Sequence, residues 1–123
     1  GTLTLAMIET PEALANVGAI AATPGIDALF IGPYDLATSL SAGSAQDINA
    51  PEVDKAIDTI CAAAITAGKI PGIYCRDAAR ALDMAKRGFR FVTVGSDFSL
   101  VRESVAASMK ALNVSRGNTK DAF

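Results

Sequence analysis

Ala28-Leu29-Phe30-Ile31-Gly32-Pro33-Tyr34-Asp35-Leu36 is the stretch that decides how the rest of the chain reads. Four apolar residues in a row, Ala28 to Ile31, have the pattern of a strand buried on both faces. Gly32-Pro33 stops the run and turns the backbone. Asp35 follows, on the rim where a buried strand hands over to its connection. In parallel α/β folds that rim, beyond the carboxyl ends of the strands, is where ligands bind. Glu9 ends the preceding candidate strand, Leu3 to Ile8. Two neighbouring strands that each end in an acid aim both carboxylates at one point.

Working outward, Thr10-Pro11-Glu12 has the signature of a helix start: a hydroxyl cap, proline at the first helical position and an acid in the first turn. Leu14, Val17, Ile20 and Ala21 keep helical spacing up to Pro24-Gly25, so a strand, one helix and a strand fill the first thirty or so residues, the size of a parallel crossover unit. Residues 37–50, rich in Ser, Ala, Gly and Asn, are expected to form a long loop of the kind that rims or covers a site. Asn49-Ala50-Pro51-Glu52 opens the next helix, with Val53, Ile57, Ile60 and Ala64 inward and Gly68 terminating it. Ile70 to Cys75 reads as the third strand, with Pro71 and Gly72 among its first residues. Asp77 to Lys86 reads as a helix with Leu82 and Ala85 inward, closed by Gly88. Phe89 to Val94 is the fourth strand, and Gly95-Ser96-Asp97 turns into a last helix lined on one side by Val101, Val105, Met109 and Leu112. Met84 and Met109 keep helical spacing and read as core.

The order is (βα) four times over. Pro24 to Gly32 aligns with Arg87 to Gly95, each with glycine, a strand of equal length, then glycine. The copies lie two units apart, so the unit repeats. Four parallel βα units make half of an eight-fold (β/α)8 TIM barrel, or a small open sheet. Strands this apolar need helices on both faces or closure into a barrel. The chain starts directly on a strand, which fits a piece of a larger barrel. Residues 1–112 form that unit, and residues 113–123 are expected to be a polar tail.

The chain has 123 residues, a net charge of −2 and no basic cluster, so a nucleic-acid surface is not expected. Half of the residues are hydrophobic, enough for a compact core that buries roughly two-thirds of the unfolded surface. No apolar run approaches the ~18 residues of a membrane span, and Leu3 to Ile8 is too short and lacks the basic lead of a signal peptide. Cys61 and Cys75 lack metal-type spacing and fit reduced thiols in a cytoplasmic chain, a disulfide being the alternative. Histidine is absent, which removes the commonest general base and transition-metal ligand.

Oxygen ligands at the ends of adjacent strands suit a hard divalent ion such as Mg2+. Acids in such places also cap helices, and a cap on the turn Leu36 to Leu40 is the rival reading of Asp35. The wording of four motifs adds to the spacing: Met7-Ile8-Glu9-Thr10-Pro11-Glu12-Ala13, the run from Gly25 to Leu36, Ala67-Gly68-Lys69, and the run from Gly88 to Asp97. Together they closely resemble the HpcH/HpaI family of aldolases, in order and in spacing, from the first strand to about Leu112. The resemblance implies a (β/α)8 barrel, of which this region is the second half. It implies that Glu9 and Asp35 stand where the family binds its divalent metal, usually Mg2+, Mn2+ or Co2+. It also implies that Gly32, Tyr34 and Asp35 bind the carboxylate of pyruvate or a related 2-keto acid through backbone amides. The expected activity is that of a metal-dependent class II aldolase cleaving 4-hydroxy-2-keto acids to a 2-keto acid and an aldehyde, the metal acting as a Lewis acid on the keto oxygen.

The sequence departs from the family pattern in three ways. Met7 stands where a glutamine often precedes the metal-binding glutamate. The family's substrate arginine and its histidine base belong to the first half of the barrel, which has no counterpart here. The isolated chain is therefore expected to lack proton-transfer machinery and to be inactive, as a fragment or as one half of a complementing pair or homo-oligomer. Elsewhere, Ser96 and Asp97 sit where many barrels bind phosphate but read better as a helix cap. Arg76 reads as a solvated residue at the rim, Cys75 as packing, and Asn113-Val114-Ser115 as a glycosylation match without meaning in the cytoplasm. A flavodoxin-like binding or signalling module is a competing reading, although a receiver-type switch needs a lysine where the last strand ends Val94-Gly95-Ser96. A structural half-barrel that pairs with a partner half is another.

Overall fold

The computed structural model describes residues 1–112. Along the chain run β1 (Leu5–Ile8), α1 (Pro11–Ala15), α2 (Val17–Ala22), β2 (Ala28–Ile31), α3 (Pro33–Leu40), α4 (Pro51–Thr66), β3 (Ile70–Cys75), α5 (Ala78–Lys86), β4 (Phe91–Val94) and α6 (Asp97–Ala111). The four strands form one sheet in the order β1-β2-β3-β4, and every neighbouring pair is parallel. This is the sequential order of a barrel wall rather than the reversed order of a doubly wound sheet. The expected parallel α/β arrangement is the one observed.

Alternation along the strands sorts their side chains onto two faces. Ile8, Leu29, Ile31 and Ile73 point at the helices and are buried, in one cluster with Val53, Ile57 and Ile60 of α4 and Met84 of α5. Leu5, Met7, Phe30, Ile70 and Phe91 occupy the other face, where Leu5, Met7, Ile70 and Phe91 are exposed. Helices thus cover one side of the sheet and leave an apolar side open. A parallel sheet ordinarily has both faces covered, and in a closed barrel the open side is the lumen.

Gly72 organises that face. A methyl group on it would stand 2.8 Å from the Phe30 ring and 3.3 Å from that of Phe91. Without one, Phe30 and Phe91 reach across β3 and meet edge to face, with centroids 5.8 Å apart.

Several helical expectations need correction. Helix formation from Pro11 is interrupted at Asn16, whose side-chain amide donates to the Glu12 carbonyl, so two short helices replace one. Residues 37–40, expected to begin the long loop of residues 37–50, are instead the end of helix α3, because Pro33 stands at the first helical position and Leu36, Ala37 and Leu40 keep helical spacing. In α5 the buried residues are Ala81 and Met84, while Leu82 is 65% exposed and Ala85 is exposed too. The inward stripe lies one residue away from the expected one. Met109 does not reach the core either. α6 buries none of its residues, and Val101, Val105, Met109 and Leu112 are all exposed. The tail, residues 113–123, and its Asn113-Val114-Ser115 match lie outside the described residues.

Candidate active site

β1 and β2 are in register with Ile8 opposite Ile31, so Glu9 and Gly32 leave the sheet side by side at its carboxyl end. Since Ile8 faces the helices, Glu9 turns to the open face. Its Oε2 lies 2.8 Å from the position a Cβ on Gly32 would take, and Asp35 Oδ2 lies 3.6 Å from the same position. Both carboxylates therefore border one cradle above Gly32. Any side chain at residue 32 would fill that cradle.

Asp35 arrives there by way of α3. Gly32 is the N-cap, Pro33 is the first helical residue, and the Leu36 N–H donates to the Gly32 carbonyl at 2.9 Å. Asp35 lies inside the first turn, and no side chain caps this helix. The rival reading of Asp35 as a cap finds no support in that geometry. An acid in the first turn is also favoured by the helix dipole. The N–H groups of Tyr34 and Asp35 belong to the first turn and have no acceptor within the helix, while Pro33 has no N–H. They are donors at the rim, beside the carboxylates.

The donor set suits a particular kind of ion. Among the described residues no three His, Cys, Asp or Glu side chains gather to hold a metal. A pair of carboxylates at a rim fits Mg2+ or a similar hard ion, which fills its remaining positions with water and substrate oxygens. It does not fit structural zinc, which takes four protein ligands. The cradle above Gly32 is thus chemically fit for the expected divalent metal.

The other rim residues have structural roles. Ser96 and Ser99 form a capping box for α6, with Ser96 Oγ accepting from the Ser99 N–H at 3.2 Å and Ser99 Oγ from the Ser96 N–H at 2.8 Å. Asp97 Oδ1 accepts from the Phe98 N–H. The Arg76 side chain is exposed and pairs with Asp77 at 3.3 Å. Cys75 is buried, and burial above all raises its thiol pKa, so it is not poised as a nucleophile.

Tyr74 carried no role in the sequence reading, yet it stands on this face. It follows Ile73, the register partner of Ile31, and so lies level with Gly32. Its ring is 6.2 Å from that of Tyr34, with the planes tilted by 57°. The alternation of β3 carries the signal: Gly72 and Tyr74 share the face opposite Ile73 and Cys75.

Residues 1–104 match the model of the HpcH/HpaI aldolase/citrate lyase family. The chain belongs to the HpcH/HpaI family. A hydroxypyruvate/pyruvate aldolase of Delftia acidovorans is 40% identical over 105 residues, which are 85% of this chain and 38% of that protein. A 5-keto-4-deoxy-D-glucarate aldolase of Citrobacter koseri is 42% identical over 100 residues, 81% of this chain and 38% of that protein. The crystal structure of an HpcH/HpaI aldolase/citrate lyase family protein from Burkholderia cenocepacia superposes with a TM-score of 0.86 at 35% identity, covering 91% of this chain and 43% of that one. The chain spans about two-fifths of the length of the curated relatives it matches. Its four βα units correspond to part of the barrel in HpcH/HpaI structures. Among the described residues no helix is long and apolar enough to cross a membrane.

Proposed function

We propose that this chain supplies the metal- and keto-acid-binding portion of a class II aldolase that cleaves a 4-hydroxy-2-keto acid to pyruvate, or a related 2-keto acid, and an aldehyde. The observation that carries this reading is the convergence of Glu9 and Asp35 on the cradle above Gly32. Its support is the family to which the chain belongs and the aldolase activities named for relatives about 40% identical to it.

Glu9 and Asp35 would hold a divalent ion, Mg2+, Mn2+ or Co2+, whose chemistry when bound is Lewis-acid polarisation of the substrate's keto oxygen. The chain's own groups do the rest of the positioning. The free N–H groups of Tyr34 and Asp35, at the positive end of α3, donate to the substrate carboxylate together with the backbone at Gly32. Fixing that carboxylate orients the carbon–carbon bond to be broken. Cleavage also needs a base for the hydroxyl proton, and the chain contains no histidine to provide it. That group, and an arginine to clamp the substrate, would come from the rest of the barrel.

A pyruvate-release assay with Mg2+ or Mn2+ tests the reading. The chain alone should bind the ion and show little turnover. Combined with a first-half polypeptide bearing the missing histidine and arginine, it should turn over, and Glu9→Ala or Asp35→Ala should abolish that activity. Turnover that survives both substitutions would overturn the assignment.

A further inference from the structure

The open face of the sheet is apolar and ordered in rows. Leu5 of β1, Ala28 of β2 and Ile70 of β3 are register partners in one row. Phe30 of β2, Gly72 of β3 and Phe91 of β4 are partners in the next, the aromatic floor beneath the carboxylates, with Met7 of β1 at its end. In each row two large side chains from alternate strands stand either side of a small one: Leu5 and Ile70 beside Ala28, Phe30 and Phe91 beside Gly72. A closed eight-stranded parallel barrel packs in this way, each layer taking four side chains from alternate strands. This chain supplies two of the four in each layer. Leu5, Ile70 and Phe91 are left exposed.

The sheet is open at its sides as well. Among the described residues, the outer edges of β1 and β4 pair with no strand. Both edge strands are four residues long, and they run in the same direction. A β4 edge can therefore take the β1 edge of a second copy in parallel, as β2 takes β3. A two-fold axis along the barrel makes both junctions at once, so the assembly closes and leaves no free edge. The two-unit repeat, Pro24 to Gly32 and Arg87 to Gly95, then recurs four times around one wall. No charge opposes this: below the rim acids Glu9 and Asp35, the strand side chains on the open face are all uncharged.

We propose that the open face and the two sheet edges form a self-association surface, on which two copies of this chain close into one eight-stranded barrel with a Glu9–Asp35 cradle on either side of its mouth. A half-barrel bearing the missing histidine would compete for the same face.

Sedimentation equilibrium of the chain at micromolar concentration should give twice the mass of one chain. Leu5→Asp and Phe91→Asp each place an unpaired charge inside the closed lumen and should weaken the dimer about 100-fold or more. Leu5 lies exposed at the edge of the single chain, so circular dichroism of the Leu5→Asp monomer should keep the native helical content. Val105→Asp, on the exposed stripe of α6, should leave the dimer intact. Hydrogen exchange reads the closure itself: in the dimer the amides of β1 and β4 should exchange as slowly as those of β2 and β3, and dilution should release them. A monomeric wild type would overturn the inference. So would a dimer broken by Val105→Asp but not by Leu5→Asp or Phe91→Asp, or one whose β1 and β4 amides exchange at the monomer's rate. Each of these outcomes would leave the Glu9–Asp35 site standing.

Discussion

Glu9 Oε2 lies 2.8 Å from the point at which a side chain on Gly32 would begin. That distance is shorter than any van der Waals contact between carbon and oxygen, so a side chain on residue 32 and the flexible Glu9 carboxylate could not both keep these places, and the glycine serves here to give space. It is not required for conformation: residue 32 has φ −94° and ψ 92°, which other residues adopt readily. Asp35 Oδ2 borders the same volume at 3.6 Å. The turn after β2 therefore does two things at once. It starts α3, which carries Asp35, and it leaves room above its own backbone for the carboxylate from the neighbouring strand.

Gly32→Ala should displace the Glu9 carboxylate while the sheet and helices remain. The expected loss of Mn2+ affinity is about 10–100-fold, as for other changes that disorient a metal ligand. Calorimetry for affinity and circular dichroism for the fold would check it together. Unchanged Mn2+ affinity would mean that Glu9 is not a ligand in this position.

Glu9→Gln and Asp35→Asn keep the shape of each side chain and remove its charge. Each should weaken Mn2+ binding by at least the roughly 10–100-fold that follows loss of an outer-shell partner, since a direct ligand matters more. The double variant should lose no more than the weaker single variant leaves, because one ion is shared. Electron paramagnetic resonance of free Mn2+ gives the bound fraction without any assay of turnover.

Gly72→Ala tests the aromatic floor. The added methyl would meet the Phe30 ring at 2.8 Å and the Leu29 carbonyl oxygen at 3.3 Å, the second being backbone that cannot swing aside. Overpacking of this kind costs about 1–3 kcal/mol. Urea unfolding should show that loss, and near-ultraviolet dichroism should report a changed aromatic environment.

Much of this arrangement was legible before any coordinates, and for identifiable reasons. Strands made of consecutive apolar residues, each ended by glycine or an acid, specify both parallel pairing and the rim to which Glu9 and Asp35 belong. Helix starts were legible where a side chain announces them, as Thr10 does by accepting from the Ala13 N–H at 3.1 Å. α3 was hidden because Gly32-Pro33 reads as a turn, although proline at the first helical position is also a helix start. The inward face of α5 was misplaced because Leu82 is the larger apolar side chain on paper, whereas packing selected Ala81 and Met84. α6 shows the limit of periodicity. Its apolar stripe is real, but a stripe does not say which element covers it, and none of its residues is buried here. Tyr74 was passed over for want of a rule linking a lone aromatic on a strand to the rim, which only the register supplied.

The last prediction concerns pH. Asp77 caps α5: its Oδ1 accepts from the Arg80 N–H at 2.8 Å, and its Oδ2 pairs with Arg76 Nε at 3.3 Å. The Arg80 amide is the main reason its carboxyl titrates below the ordinary value; slight desolvation opposes this, and the Arg76 side chain adds to it. In the unfolded chain the same carboxyl titrates near the ordinary ~3.9. Between the two values the unfolded state binds more protons than the native state, so stability rises with pH across that window. The ionised cap therefore contributes in full above the ordinary carboxyl pKa, and its contribution disappears as pH falls through the lower native value. Asn offers the Arg80 amide a neutral capping oxygen that does not titrate, so Asp77→Asn isolates what the negative charge adds to the cap. Urea unfolding from neutral pH down to about pH 3 should show a constant stability gap in favour of the wild type above pH 5, closing on acidification. The exposed Arg76 pair should contribute little to that gap, so added salt should leave most of it intact. A gap that stays constant down to the most acidic point, or that is removed by salt, would show that the Arg80 amide is not what holds the Asp77 carboxyl ionised.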